Sequence, residues 1–269
     1  MGVLAVVGLC VVAALGVTVL SSRNVRAFVR GKGSLRQTAS NAGVGVVFLA
    51  VDLAFRGALI AAFAGVAYHV PYKLPPDAAW SWAVAFVLLD FVYYVQHRLE
   101  HAVPLLWAIH AVHHQSRDYN LSVSFRVGAL SSLSTLLFHS LLALAGVDVK
   151  IYATTVTVHA ALLFMLHART KWTLGPGRFF NAPVFHRVHH AAEQDYIDKN
   201  FGGVFMVFDR IFGTFAPYTQ EPSFGVVGGR DVAEAGPIAA NTAPFAELAI
   251  QIRRQPTWGR KLRAHEEGA

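Results

Sequence analysis

The chain has 269 residues, of which 54% are hydrophobic and 14% are charged, and its formal net charge is +7. Soluble domains typically carry about 25% charged residues, so this composition argues against a soluble globular protein and for one embedded in a bilayer. The basic residues flank apolar segments and form no continuous stripe, which argues against nucleic acid as a partner and favours loops beside anionic lipid.

The apolar segments, taken in chain order, predict an all-α integral membrane bundle with four or five spans. Residues 3–20 are uninterrupted apolar sequence, long enough for a hydrocarbon core about 30 Å thick. They lack the basic leading region and small-residue cleavage site of a signal peptide, so we interpret them as a retained anchor. Residues 43–68 and 78–96 are further candidate spans. Residues 127–146 and 151–168 form an apolar hairpin that enters or crosses the bilayer.

The distribution of basic residues predicts the orientation of these spans. Lysine and arginine concentrate in residues 23–36, directly after the first candidate span, and in residues 168–178, after the hairpin. By the positive-inside rule both loops are cytoplasmic, which places the N-terminus outside and the C-terminus inside. The ends of the spans that carry clustered histidines then lie on the cytoplasmic side.

Histidines form three arrays with helical spacing, and their side chains share helical faces because residues three and four apart are neighbours on a helix. Neutral imidazole is a good ligand for iron, zinc, copper and nickel. Eight clustered histidines exceed what one ion can hold, so the pattern predicts two metal ions. The arrays are His97 and His101; His110, His113 and His114; and His186, His189 and His190.

The three boxes, HxxxH, HxxHH and a distal HxxHH, resemble those of the sterol desaturase and fatty acid hydroxylase superfamily. The similarity extends to DFVYYVQHRLEH, LWAIHAVHHQSRDYNLS, NAPVFHRVHH and YIDKNFGGVFMVFDRIFGTF, which look like the alkylglycerol monooxygenase-like branch. It covers about residues 85–225 and implies a membrane enzyme with two non-haem iron ions that uses O2. We therefore expect one domain, with an N-terminal transmembrane region at 1–84, a histidine-box core at 85–225 and a cytoplasmic tail at 226–269.

The predicted ligand set contains nine histidines. His167 is the ninth, because it lies at the cytoplasmic end of the hairpin, level with the boxes. His159 is about 12 Å of helix away from it. It resembles a histidine of the same branch, and we expect it to line the substrate cavity. The complete predicted set is His97, His101, His110, His113, His114, His167, His186, His189 and His190.

Three carboxylates are candidates to accept a hydrogen bond from the second ring nitrogen of a ligand imidazole. Asp90 lies two helical turns before His97, although a helix–helix hydrogen bond is an alternative role for it. Asp198 and Asp209 lie in the segment after the last box, where each also has a basic neighbour with which it can form a surface ion pair.

The resemblance implies O2-dependent hydroxylation or monooxygenation of a C–H bond in a membrane lipid, such as a sterol, a fatty acyl chain or an ether lipid. A desaturase with the same di-iron centre is the alternative, since both reactions begin with hydrogen abstraction. A non-catalytic metal-binding protein is a third possibility. Electrons have to come from a separate ferredoxin, cytochrome or reductase, because the chain has no haem-binding HPGG motif and its single cysteine excludes a four-cysteine iron–sulfur cluster.

Overall fold

The computed structural model describes residues 35–171, 173 and 179–254, and every regular element within them is a helix. The all-helical prediction is therefore confirmed over this part of the chain. The predicted span at 3–20 and most of the basic loop at 23–36 lie outside the described residues. The helices are α1 Leu35–His69, α2 Ala79–Ala102, α3 Pro104–His114, a 3-10 helix Leu121–Phe125, α4 Ser131–Leu144, α5 Val149–Leu166, α6 Pro183–His189, α7 Val207–Ile211 and α8 Pro237–Arg254.

Three of the described helices, α1, α2 and α5, are long and apolar enough to cross a membrane. They correspond to the predicted spans at 43–68, 78–96 and 151–168. The first arm of the predicted hairpin is shorter than expected, because α4 has 14 residues and a length of about 21 Å. A hydrocarbon core is about 30 Å thick, so α4 is too short to cross it as a straight helix.

The apolar core lies where α1, α2, α4 and α5 meet. Leu89 of α2 and Ile151 of α5 are fully buried there, and the ring of Phe63 stacks on that of Tyr152 with 4.0 Å between centroids. The outward faces of these helices carry large exposed apolar side chains, such as Leu137 on α4. An apolar surface of this kind is stable in lipid and costly in water.

The first helix is longer than a bilayer is thick. Its 35 residues extend about 52 Å, so one end has to project beyond the hydrocarbon core. The N-terminal end of α1 packs against the histidine-bearing part of the molecule: Asn41 Nδ2 donates to Ser122 Oγ at 2.9 Å, and Ser40 Oγ donates to the carbonyl oxygen of Ala235 at 2.7 Å. α1 therefore connects the membrane-length helices to the residues that precede α8.

A buried arginine joins three separate parts of the chain. Arg126 is 0% exposed and donates to neutral acceptors, and burial lowers its pKa to about 10, so it stays cationic at neutral pH. The C-terminal segment, as far as residue 254, thereby packs against α1 and α3. The acceptors are Val112 O at 2.9 Å, Ser40 Oγ at 3.0 Å, Asn41 Oδ1 at 3.1 Å, Gln115 Oε1 at 2.6 Å, Val232 O at 3.0 Å and Ala233 O at 3.2 Å.

Candidate metal centre

The helix is interrupted between the first two histidine boxes. α2 ends at Ala102 and α3 begins at Pro104, which occupies the first helical position, where the missing N–H of proline costs nothing. The interruption allows α3 to pack beside the end of α2. The His97 and His110 rings lie 4.8 Å apart between centroids.

Five of the predicted ligands form one cluster, here called the five-histidine group. Each offers one ring nitrogen, and these nitrogens all lie within 4.8 Å of one another. The Nε2 atom of His110 lies 3.2 Å from that of His97 and 3.1 Å from that of His114. The members are His97, His101, His110, His114 and His189.

The other four predicted ligands form a second cluster, here called the four-histidine group. Its Nε2 atoms also converge, with His167 lying 3.1 Å from both His113 and His186, and His190 lying 3.2 Å from His186. The ring of His190 stacks on that of His114 with 4.4 Å between centroids, so the two groups are adjacent. All nine predicted histidines are thus brought together, in two sets.

Each HxxHH box contributes to both groups. In the box on α3, His110 and His114 belong to the five-histidine group and His113 to the four-histidine group. The box on α6 has the opposite assignment. Its first and last histidines belong to the four-histidine group, and His189 belongs to the five-histidine group. Residues four apart lie on one helical face and the residue between them points about 100° away, so one short helix can serve two ions.

Backbone carbonyls fix the protonation of three imidazoles. A carbonyl oxygen can only accept a hydrogen bond, so in each case the proton is on Nδ1 and the lone pair is on Nε2, which faces the centre of the group. These acceptors could not be predicted from residue types, because every residue has a backbone carbonyl. The pairs are His97 with Phe201, His113 with Arg126 and His189 with Lys199, each at 2.9 Å.

Two carboxylates likewise lie beside the Nδ1 atoms of two further imidazoles and fix their ring protons there. Asp198, a predicted supporting residue, lies 3.1 Å from His101 Nδ1. Glu100, which the sequence-based prediction missed, lies 3.1 Å from His110 Nδ1, and its side chain is 8% exposed. Its position inside the first box, on a helix that buries its histidines, was the available signal. Glu100 also accepts from Ser134 Oγ at 2.6 Å.

Asp209 contacts none of the nine histidines and supports the site indirectly. Its buried carboxylate accepts from the backbone N–H groups of Phe201 and Gly202 at 2.8 and 2.7 Å and from Thr214 Oγ1 at 2.7 Å. Burial raises the pKa of this carboxyl. Asp209 thus fixes the loop whose Phe201 carbonyl accepts from His97, in place of the predicted direct contact with an imidazole.

Asp90 also acts on this loop and not on a ligand. It is 0% exposed and accepts from the N–H groups of Val204 and Phe205 at 2.6 and 2.9 Å. Its third partner is His159 Nε2 at 2.7 Å. His159 belongs to neither group; its ring lies 5.2 Å from that of Tyr93. The two helical turns between Asp90 and His97 keep this carboxylate away from the ligands.

Residues 198–201 therefore support three of the five imidazoles in the five-histidine group, through one side chain and two carbonyls. Asp198 and Asn200 both have φ of 57°, a left-handed conformation that Asp and Asn tolerate better than most residues. Asn200 is fully buried, and its side chain donates to the carbonyls of Phe185 and Ala216 at 3.1 and 2.8 Å. These bonds hold the loop in its unusual conformation.

The protonation state of the imidazoles fits metal binding. Burial, followed by neighbouring imidazoles, lowers the pKa of His114, His189 and His190 well below 6.5, and burial lowers the pKa of His167 to about 4. These rings are neutral at pH 7 and have lone pairs to donate. The Nε2 atoms of His101 and His189 are buried and have no hydrogen-bond partner among the described residues. Each group can therefore hold one transition-metal ion.

Comparison with known families agrees with this arrangement. The model of the fatty acid hydroxylase family matches residues 82–214. The resemblance to the fatty acid hydroxylase family that the histidine boxes predicted is therefore confirmed over these residues. The matched region contains all nine histidines of the two groups, together with Glu100, Asp198 and Arg126.

Curated relatives support the predicted similarity to the alkylglycerol monooxygenase-like branch. Alkylglycerol monooxygenase from Homo sapiens is 38% identical over 156 residues, which are 58% of this chain and 35% of that protein. The Danio rerio protein of the same name is 39% identical over 155 residues, 57% of this chain and 34% of that protein. The match thus spans about a third of the length of these relatives.

A relative with another name shares the family at lower identity. Ornithine lipid hydroxylase from Rhizobium tropici is 27% identical over 184 residues, which are 61% of this chain and 51% of that protein. No solved structure matches the chain.

Proposed function

We propose that this chain is an O2-dependent lipid hydroxylase that uses two iron ions to insert one oxygen atom into a C–H bond of a membrane lipid. The observation that carries the proposal is the pair of adjacent all-histidine groups at the end of a membrane-length helix, α2. The names of its relatives, a lipid hydroxylase and the alkylglycerol monooxygenases, support the reaction class. A sterol, a fatty acyl chain and an ether lipid are the candidate substrates.

The iron ions, when bound, supply O2 activation and the oxidation of the C–H bond. The five-histidine group would hold one ion and the four-histidine group the other. The acceptors at Nδ1 keep the ring protons away from the metals and fix the planes of the rings. His97, His186 and His189 are buried, which limits the access of water to the two groups. Exclusion of water favours reaction with the lipid over side reactions.

We propose that the lipid approaches from the membrane side, beside α2 and α5. Phe86, Tyr93 and His159 lie there in a row, with 5.9 Å between the rings of Phe86 and His159 and 5.2 Å between those of Tyr93 and His97. The prediction that His159 lines the substrate cavity fits this position. The Asp90 carboxylate holds the His159 ring in a fixed orientation.

The membrane topology and the electron supply complete the proposal. Four or five spans, with the histidines on the cytoplasmic side, remain the arrangement that the basic loops predict. Insertion of one oxygen atom from O2 consumes two electrons and two protons and releases water. We propose that a separate ferredoxin, cytochrome or reductase delivers these electrons from the cytoplasm.

The test is incubation of the purified chain with 18O2, a reductant system and a membrane lipid extract, followed by mass spectrometry. A labelled hydroxyl, or an aldehyde from a collapsing hemiacetal, is the expected product. His189→Ala should remove it, whereas His69→Ala, an exposed histidine outside both groups, should not. Products that lack two hydrogens and carry no label would favour the desaturase. Metal binding without any change in lipid would favour the non-catalytic alternative.

A further inference from the structure

The two histidine groups differ in what their second ring nitrogens meet. In the five-histidine group, four of the five Nδ1 atoms have an acceptor within 3.1 Å, and two of these acceptors are carboxylates. The carboxylates come from different parts of the chain, since Glu100 lies on α2 and Asp198 in the loop after α6. Support of this group therefore does not depend on one element.

The four-histidine group has much less support. Its His113 donates to the Arg126 carbonyl at 2.9 Å. The buried Nδ1 atom of His186 has no hydrogen-bond partner in the described part of the chain, and the ring of His167 has only the backbone carbonyls of Leu163 and Phe164, on its own helix, beside it. No carboxylate among the described residues forms an ion pair with an imidazole of this group. The nearest charged pair on α6, Arg187 with Glu221 at 2.9 Å, leaves these rings without an anionic acceptor.

This difference has a direct effect on metal affinity. A carboxylate that accepts the Nδ1 proton raises the basicity of the imidazole and partly offsets the charge of the cation. Loss of such a partner typically lowers metal affinity about 10- to 100-fold. The five-histidine group also offers one more imidazole than the four-histidine group, which further raises its metal affinity. Both effects favour the ion in the five-histidine group.

We propose that the two metal sites are unequal: the five-histidine group binds its ion first and releases it last, and the four-histidine group holds an exchangeable ion. The inference rests on the two-metal centre of the proposed function. It implies a stable half-loaded state with one ion, held by His97, His101, His110, His114 and His189. Chain isolated with a single equivalent of metal should carry it there.

The experiment is a zinc titration of the full chain in detergent or lipid nanodiscs. Free zinc is set by a series of chelator buffers, and zinc per chain is measured by elemental mass spectrometry. We expect two steps of one ion each, with midpoints at least about 10-fold apart. A single step to two ions per chain would overturn the inference.

Variants assign the two steps. Glu100→Gln and Asp198→Asn each keep an oxygen acceptor and remove the charge, and should weaken the tighter step about 10- to 100-fold while the weaker step stays in place. Asp77→Asn, at an exposed loop aspartate, is the matched control. His186→Ala should lose the weaker step alone. A shift confined to the weaker step in Glu100→Gln and Asp198→Asn would reverse the assignment and refute the proposal.

Two features allow the test to separate the possible outcomes. The Asp198 side chain is 62% exposed, so Asp198→Asn should fold even if Glu100→Gln does not. Zinc binding is also independent of turnover. Two separate steps in a chain that oxidises no lipid would contradict the proposed function alone, whereas an active chain with one step would contradict only the inequality of the sites.

Discussion

The carboxylate of Asp90 on α2 accepts a hydrogen bond from His159 Nε2 on α5 at 2.7 Å, across 69 residues of sequence. The same carboxylate accepts two N–H groups of the loop that carries the Phe201 carbonyl. Two membrane-length helices and the support of His97 therefore meet at one buried anion. A substitution at this point should alter the positions of the metal ligands.

Gly203→Ala tests that connection. A Cβ atom at Gly203 would lie 2.4 Å from Asp90 Oδ1 and 2.9 Å from both His159 Nε2 and Tyr93 Cδ1. These neighbours are held by helices, so the loop has to move, at a cost of about 1–3 kcal/mol in the free energy of unfolding. Because the Phe201 carbonyl moves with the loop, zinc affinity of the five-histidine group should fall about 10-fold or more.

The same zinc titration and a thermal melt measure both effects. Gly236→Ala is the control, since its Cβ would meet nothing within 4 Å. A Gly203→Ala chain that binds zinc like the parent would show that the loop adapts without disturbing the ligands.

Arg126→Met should destabilise the fold strongly. The substitution removes six donated hydrogen bonds and leaves the carbonyls of Val112 and Ala233 buried without this partner, while the Val232 carbonyl keeps the N–H of Ala235. Each unsatisfied acceptor costs about 1–3 kcal/mol, so we expect a total loss of about 3–5 kcal/mol. The measurement is the midpoint of thermal unfolding in detergent. Arg230→Met, at an exposed position, should change it little, and a similar small change in Arg126→Met would contradict the role of the buried guanidinium.

Acid should destabilise the metal-free chain. The pKa of His167 is about 4 in the folded chain and near 6.5 when unfolded, so the folded state binds fewer protons. Its contribution is fully present above pH 6.5 and is lost as the pH falls towards 4, by up to about 3 kcal/mol for this group. His186, His189 and His190, whose pKa values are lowered further, add to the loss. Unfolding temperatures of the metal-free chain between pH 8 and 4.5 measure it, and a constant value between pH 7 and 5 would contradict the buried, neutral histidines.

The predicted orientation can be checked with reporter fusions at the two termini. The basic residues at 23–36 and 168–178 predict an external N-terminus and a cytoplasmic C-terminus. A reporter that is active only in the cytoplasm should therefore function at the C-terminus and fail at the N-terminus. A C-terminus on the outer side would separate the histidines from cytoplasmic reductants and refute the proposed electron supply.

Helical periodicity explains how much of the site could be predicted. Histidines four residues apart share a face whatever the tertiary fold, so His97 with His101 and His186 with His190 were predictable as pairs. Their division into two groups was not, since it depends on how α2, α3 and α6 are packed. The apolar lengths of α1, α2 and α5 likewise predicted three membrane-length helices, whereas α4 begins four residues after the start of the predicted arm and ends two residues before its end.

The supporting contacts were less predictable, because they come from tertiary structure. Asp198 reaches His101 across 97 residues, and the Phe201 carbonyl reaches His97 across 104. Asp90 and Asp209 were identified as important carboxylates, but the structure places both on backbone amides of the loop. The residue type shows that a buried carboxylate needs hydrogen-bond donors. It does not show which donors the fold will place beside it.

The acceptors of Arg126 have a consequence for how the protein is made in the cell. Synthesis proceeds from the N-terminus, and the carbonyls of Val232 and Ala233 leave the ribosome 106 and 107 residues after the arginine that needs them. Until then the guanidinium lacks two of its six acceptors. The backbone carbonyl of the same residue accepts from His113 Nδ1 at 2.9 Å. We therefore expect metal insertion at the four-histidine group to follow synthesis of residues 232 and 233. A polypeptide that stopped at residue 225 would contain all nine histidines and lack two of the acceptors that hold Arg126.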